Sequence, residues 1–208
     1  MISFATTGPD ESAPCWKLQS QRVPLTQHWI RGGQLAGPSL IPQAGFDLRP
    51  DGMLVFTASM KPGAQDKFQA GPKEFVEDLW KGNVVEWFLG CAASGRYMEV
   101  HVSPSARWWS CVFTGIRERE TPHGHPLPLS VIHHRRDKAG RHWQASVQVP
   151  ARVVCQLLKA RSVFDLRTNF TAMVYPVTGT ALYFSLATMP GPKPNFHQPQ
   201  AWLKVVKS

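Results

Sequence analysis

Short apolar runs, separated by stretches rich in Gly and Pro, dominate the hydrophobic pattern of this chain. The clearest runs have the length of β-strands, and they cover residues 53–60, 84–89, 97–102 and 108–114. Residues 97–102 alternate in polarity, so that Glu99 and His101 share one face of the strand and apolar side chains share the other. Because short turns join the last three runs, we expect them to pair as an antiparallel meander.

The rest of the chain extends this pattern and adds one helix. Further strand candidates are residues 17–23, 131–135, 142–149, 163–175, 180–187 and 202–206. Residues 152–160 instead carry apolar side chains at helical spacing after Pro150, a residue that suits the start of a helix. Residues 32–45 and 61–73 are predicted to be loops because Gly and Pro are frequent in them. About ten strands and one short helix predict an all-β fold, an antiparallel two-sheet β-sandwich.

Length and charge narrow the classes of protein to which the chain can belong. The 208 residues suit one all-β domain. We predict that residues 1–14, which are small and polar, form a flexible N-terminus and that residues 15–208 form the domain. The net charge of +9 raises nucleic acid as a partner, but Lys and Arg are scattered, and their densest group, residues 135–141, is predicted to be a hairpin turn. We therefore expect no nucleic-acid partner.

Cysteine usage and the N-terminus give no sign of metal binding or export. No pair of cysteines has the C-x-x-C spacing of a zinc knuckle or redox dithiol; the four are Cys15, Cys91, Cys111 and Cys155. The N-terminus lacks the basic start and apolar run of a signal peptide, and no segment has the length and hydrophobicity of a membrane span. We expect a cytoplasmic protein with no membrane partner.

Glu86 is the odd residue of a strand that is otherwise apolar on both faces. A carboxylate in such a strand is costly unless it is paired or faces a cleft. One interpretation is a buried ion pair with Arg96 or Arg167. Another is an acceptor that faces a ligand, because Glu99 on the next strand can lie on the same face. Two acidic residues on adjacent strands are also the arrangement of a glycosidase acid and base, although no elaborated loop supplies a deep cleft.

Aromatic residues divide into core and rim positions. The core is expected to contain three Trp residues that lie within strand candidates, among the eight of the chain: Trp87, Trp109 and Trp143. Trp80 instead precedes a strand, where a side chain can be exposed at the rim of a sheet. Phe196 has a similar position before the last strand, so the two rings can form a pair of flat walls.

Histidine pairs occur twice, but neither pair has the spacing of a metal site. They are His123 with His125 and His133 with His134. No carboxylate or Cys stands beside them at a recognised ligand spacing, so we expect structural or surface residues and no metal.

Several segments, in the order in which they occur, resemble DOMON-like proteins related to family 9 carbohydrate-binding modules. They are LWxxxVVExFL at 79–89, YxEVxVSP at 97–104, WW at 108–109, WxAxVxVP at 143–150, RTNF at 167–170, YFSL at 183–186 and KPNFH at 193–197. The resemblance covers roughly residues 20–206 and implies a β-sandwich of jelly-roll type. In sugar-binding members, two aromatic rings sandwich a terminal sugar, and polar side chains bind its hydroxyls.

The resemblance implies a non-catalytic module that binds a small molecule, a saccharide, in a cleft between Trp80 and Phe196. The ligand-binding positions that it implies are Trp80, Glu86, Glu99, Asn169, Phe196 and His197. Two of them depart from the sugar-binding pattern, because Glu99 stands where the sugar binders have Arg and Phe196 where they have Trp. Two carboxylates close together favour a cation, a raised pKa or an Arg between them.

Three alternatives accompany this interpretation. The cleft can be vestigial in an interaction or scaffold protein. Other DOMON domains bind haem through Met and His, and Met98, Met173 and His101 are available here, but Met98 and His101 alternate to opposite strand faces. The third alternative is a carbohydrate-active enzyme that uses Glu86 and Glu99. No cluster of Asp and Asn indicates the calcium sites of some family members, and we expect no cofactor.

Overall fold

The computed structural model describes residues 15–17, 19–28, 40–61, 74–105, 107–124, 126–128, 130–136, 143–176, 180–192 and 194–207. Within these residues the chain forms two β-sheets and one α-helix. The strands are β1 (Cys15–Lys17), β2 (Gln19–Pro24), β3 (Thr26–His28), β4 (Gln43–Leu48), β5 (Met53–Met60), β6 (Val84–Cys91), β7 (Tyr97–Val102), β8 (Trp108–Gly115), β9 (Glu118–Arg119), β10 (Ser130–Arg136), β11 (Trp143–Pro150), β12 (Leu166–Val174), β13 (Leu182–Ser185) and β14 (Leu203–Val206), and the helix is α1 (Ala151–Leu158). The predicted N-terminal segment, residues 1–14, lies outside the described residues.

The two sheets differ in size. The larger sheet has the order β1-β14-β12-β6-β7-β8-β9, with β13 on β12 and β3 on β13, and the smaller sheet has the order β10-β11-β5-β4-β2. Neighbouring strands are antiparallel except for β1 and β14, which are parallel. The predicted all-β fold of two antiparallel sheets with one helix is therefore confirmed.

The predicted strands agree best at the centre of the fold. Residues 53–60 and 97–102 form β5 and β7 with the predicted bounds, and β6, β7 and β8 pair as the predicted meander. One prediction is wrong, because β4 begins at Gln43, inside the predicted loop 32–45. This strand pairs with β2 on one side and β5 on the other, and hydrogen bonds on both edges outweigh the low strand propensity of Gly45.

A stack of aromatic rings forms the centre of the core between the sheets. Phe46 and Phe56 come from the smaller sheet, and Trp87 and Phe170 come from the larger one. The ring of Phe56 lies 5.4 Å from those of both Trp87 and Phe170 and is nearly parallel to the latter. All four side chains are buried, so aromatic contacts join the two sheets.

A second apolar cluster covers the opposite, outer face of the larger sheet. Phe88 and Tyr97 project from the sheet into this cluster, and Phe196 and Trp202 reach it from the C-terminal segment. Trp202 Nε1 donates a hydrogen bond of 3.1 Å to the carbonyl of Phe196. A Cβ on Gly90 would lie only 2.9 Å from the Trp202 ring, so glycine permits this close approach. As a result β6 and β7 are buried on both faces along their whole length.

Helix α1 follows Pro150 as predicted and packs Val154 and Leu158 inward. The Arg96 guanidinium donates to the carbonyl of Leu157 and Ser94 donates to that of Leu158, which satisfies two of the free carbonyls at the end of the helix. Among the described residues, no helix is long and apolar enough to cross a membrane.

We expect Phe56→Ala to destabilise the fold by about 3–5 kcal/mol, because it removes a ring that contacts both Trp87 and Phe170 in the closed core. Ile116→Ala is the control, since that side chain is 62% exposed and its loss is expected to change stability by less than about 0.5 kcal/mol. Urea unfolding followed by Trp fluorescence measures both. Equal losses in the two variants would contradict the assignment of Phe56 to the core.

Candidate functional site

Strand pairing brings a row of polar residues onto the outer face of the larger sheet. Glu86 on β6 is the direct partner of His101 on β7, and Thr171 on β12 is the partner of Glu86 on the other side. Glu99 lies two residues before His101 and therefore projects from the same face of β7. Within this row, the Thr171 hydroxyl donates a hydrogen bond to Glu86 Oε2.

Three residues of this row, Glu86, Glu99 and His101, lie at the floor of a cavity of about 460 Å³. This volume is in the range of small-molecule sites, roughly 300–1,000 Å³. The walls are largely aromatic and include Trp80, Trp109, Tyr175, Tyr183, Phe196 and His197. The cavity thus combines flat apolar surfaces with buried charge-bearing groups.

Trp80 forms part of the rim. It belongs to a short 3-10 turn at Leu79–Lys81, directly before β6, and its side chain is 45% exposed, as its place before the strand predicted. The Tyr175 hydroxyl donates to its carbonyl oxygen at 3.3 Å, and Lys81 Nζ lies 5.4 Å from the centre of its ring. Phe196 also lines the cavity, but it is only 7% exposed and packs near Tyr183.

His101 joins the two carboxylates. Its Nε2 lies 3.0 Å from Glu99 Oε1 and 3.3 Å from Glu86 Oε1, and all three side chains are almost completely buried. Burial raises the pKa of Glu86 to about 7, and the Glu99 charge adds to this rise although His101 and Thr171 oppose it. Burial acts on Glu99 in the same direction, but the charge and hydrogen bond of His101 outweigh it and hold its pKa below the usual value.

The pKa of His101 responds to both carboxylates. Burial alone would lower it, but the charges of Glu86 and Glu99 outweigh that effect and raise it. The proposed Arg partners of Glu86 make other contacts. Arg96 bonds to the carbonyl of Leu157 and to Glu120, and Arg167 donates to the carbonyl of Trp202. A histidine, rather than an arginine, therefore compensates the buried carboxylates.

His197 faces the same floor from the C-terminal segment. Its Nε2 lies 3.9 Å from Glu99 Oε1. The Tyr97 hydroxyl, which accepts the backbone N–H of Arg117 at 3.0 Å, lies 2.8 Å from His197 Nδ1. Burial lowers the pKa of His197, so the neutral ring is favoured near pH 7. A rigid hydrogen-bonded support thus orients this imidazole toward the cavity.

Asn169 is the one predicted site residue that does not line the cavity. It is fully buried, and its Oδ1 accepts the N–H of Ala187 at 2.9 Å and the hydroxyl of Ser185 at 3.1 Å. It fixes the start of the segment that covers the outer face of the sheet. The other five predicted residues all line the cavity, namely Trp80, Glu86, Glu99, Phe196 and His197.

Several cavity residues were not among the predicted binding positions, and two of them, His101 and Trp109, lie beside the carboxylates or were assigned elsewhere. His101 lies between the carboxylates, and Trp109, which was assigned to the core, is buried and also lines the cavity wall. The alternation of residues 97–102 already placed His101 beside Glu99 on one face. Its contact with Glu86 depends on the register of β6 and β7, which one sequence does not reveal.

The positions of His101 and Met98 bear on two of the alternatives. In a glycosidase the scissile bond lies between the two carboxyl groups, but here the His101 ring bridges Glu86 and Glu99. This geometry does not favour Glu86 and Glu99 as a catalytic pair. Met98 is fully buried in the core between the sheets, on the other face of β7 from His101, so these two side chains cannot hold the same haem.

The fold is similar to that in the crystal structure of a candidate carbohydrate-binding protein from Bacteroides uniformis. The TM-score is 0.64 at 14% sequence identity, over 90% of this chain and 86% of that protein. At so low an identity the likeness concerns the fold alone. No protein-family model and no curated protein sequence matches the chain.

We expect Glu86→Gln to weaken the dependence of stability on pH. The folded state keeps a proton on Glu86 up to about pH 7, whereas the unfolded chain releases it near the usual Glu pKa of about 4.3. The free energy of unfolding of the wild type therefore falls as pH rises through this window. In Glu86→Gln we expect this fall to be smaller by on the order of 1–3 kcal/mol. Urea unfolding between about pH 5 and 8, with EDTA present, measures it.

Glu118→Gln is the matched control, because Glu118 is an exposed carboxylate outside the cavity. It should leave the pH dependence of the wild-type protein unchanged. If Glu86→Gln and Glu118→Gln gave the same pH profile as the wild type, the raised pKa of Glu86 would be refuted.

Proposed function

We propose that the chain is a non-catalytic binding module that takes a saccharide in the cavity between Trp80 and Phe196. The observation that carries the proposal is the half-exposed Trp80 at the rim of a 460 Å³ cavity with a charged floor. One face of a sugar ring is apolar and stacks on an aromatic ring, whereas its hydroxyls need donors and acceptors.

The aromatic walls supply the stacking surfaces. The Tyr175 hydroxyl donates to the backbone carbonyl of Trp80, which anchors the turn that carries this ring at the rim. Phe196 lies on another segment and is fixed through the hydrogen bond from Trp202 to its carbonyl. A ring inserted between them would contact two surfaces that the fold already holds in place, which lowers the entropic cost of binding.

The floor supplies the polar contacts. Carboxylate oxygens of Glu99 accept hydrogen bonds from hydroxyls, and the neutral ring of His197 offers Nε2 toward the cavity. Arg117 also lines the cavity, where its guanidinium contacts Asn195 at 3.1 Å. The floor and rim thus contain acceptors and donors in one small volume, as polyhydroxylated ligands require.

Fold similarity adds general support. The Bacteroides uniformis protein with the same fold is described as a candidate for carbohydrate binding. The finer assignment, to DOMON-like proteins related to family 9 carbohydrate-binding modules, rests on the motif order along residues 20–206. Because one fold serves many functions, the cavity carries more weight than the fold.

The competing proposal is that the chain is an interaction or scaffold protein whose cleft is vestigial. That reading requires Trp80 to be covered by the chain and the cleft to be closed. The exposed Trp80 ring and the open cavity beside it favour ligand binding instead.

Titration calorimetry against a panel of mono- and disaccharides tests the proposal. We expect at least one saccharide to bind, and we expect Trp80→Ala to weaken its affinity about tenfold or more, since loss of one stacked ring removes on the order of 1.4 kcal/mol. Phe164→Ala is the control, because Phe164 is also an exposed aromatic residue but lies away from the cavity.

Two results would overturn the proposal. One is the absence of heat with every saccharide in the panel at millimolar concentration. The other is full affinity in Trp80→Ala, which would place the ligand elsewhere on the molecule.

A further inference from the structure

We propose that Glu86, Glu99, His101 and His197 form a site for a first-row divalent metal ion, Zn²⁺ or Mn²⁺, at the floor of the cavity. The inference goes beyond saccharide binding and does not depend on it. It also differs from the expectation from the sequence, which gave no metal site.

Donor-atom spacing is the first argument. One oxygen from Glu86, one from Glu99 and one nitrogen from His101 lie within 4.8 Å of one another. The measured separations are 3.0 Å and 3.3 Å from His101 Nε2 to the two oxygens, and 3.9 Å from His197 Nε2 to Glu99 Oε1. Four ligands at about 2.0–2.1 Å around a tetrahedral Zn²⁺ are roughly 3.3 Å apart. These three measured separations are therefore near the spacing that a bound ion requires.

Charge is the second argument. Two carboxylates are buried together, and both contact the His101 ring, which would bind the ion as a neutral imidazole. The two arginines at the cavity engage other groups, since Arg117 contacts Asn195 and Arg119 contacts Glu77 and the carbonyl of Pro122. Buried carboxylates are stable only when compensated, and a divalent cation would neutralise both at once.

The two imidazoles provide the third argument. The Nδ1 of His101 is buried and has no hydrogen-bond partner in the part of the chain that the structure describes. The other nitrogen, Nε2, contacts both carboxylates and is the atom that would bind the ion. His197 is held at Nδ1 by Tyr97, which leaves Nε2 toward Glu99. Metal-binding histidines are commonly oriented in this way through the other ring nitrogen.

The donor set selects the class of ion. Two imidazole nitrogens and two carboxylate oxygens suit Zn²⁺ or Mn²⁺, whereas Ca²⁺ and Mg²⁺ prefer oxygen ligands alone. The site lies at the cavity floor, so a coordination position not used by protein would face the cavity. The ion would then also be placed to bind hydroxyl groups of a ligand.

Calorimetric titration of the EDTA-treated full-length chain with ZnCl₂ and MnCl₂, without saccharide, tests the site. We expect one ion per chain for at least one of the two metals, and weaker binding or none for CaCl₂ and MgCl₂. Glu99→Gln and His197→Gln should each weaken the binding at least tenfold. His123→Gln is the matched control, because His123 is an exposed histidine away from the cavity, and it should bind as the wild type does.

Thermal unfolding supplies an independent readout. The bound ion should raise the melting temperature of the wild type and of His123→Gln, and the rise should be smaller in His197→Gln, which removes a half-buried ligand and is expected to fold. Absence of saturable binding of both metals would overturn the proposal. So would affinities in Glu99→Gln and His197→Gln equal to the wild-type value, which would place the ion at cysteines or surface histidines. Saccharide binding can succeed or fail independently of either result.

Discussion

Burial of both faces of β6 and β7 is the constraint on which the rest of this structure depends. One face packs on the smaller sheet through Trp87, and the other lies under the C-terminal segment that Trp202 and Phe196 bring across the sheet. A sheet face covered by a loop segment, rather than by a third sheet, is covered unevenly. The cavity lies where the C-terminal segment no longer covers the strands, between this segment and the 3-10 turn that carries Trp80.

The polar row on β6 and β7 is costly in such surroundings. Glu86 and Glu99 are removed from water by the same cover that closes the second apolar cluster, and a single imidazole stands between them. The fold tolerates this arrangement through Thr171, His101 and proton uptake by Glu86, each of which lowers the cost of buried charge. Since apolar residues at these positions would pack without that cost, the row is better explained by a ligand or an ion than by stability.

Particular residues show how far the sequence alone could lead. The alternation of β7 predicted that Glu99 and His101 share a face, and the place of Trp80 before β6 predicted its exposure. The other features of the site depend on tertiary contacts, which the sequence does not reveal. The His101 contact with Glu86 depends on strand register, and Asn169 points to the backbone of Ala187 because a distant segment folds over it. Strand β4 was missed because its pairing partners, not its own residues, determine its conformation.

The central claim is that this outer face of the larger sheet is a ligand site, and a crystal structure of the protein grown with a saccharide at high concentration tests it most directly. If the claim is correct, the sugar ring lies against Trp80, opposite Phe196, with its hydroxyls within hydrogen-bond distance of Glu99 or His197. A structure in which Trp80 folds inward and closes the cavity, or in which the saccharide binds elsewhere, would contradict the claim.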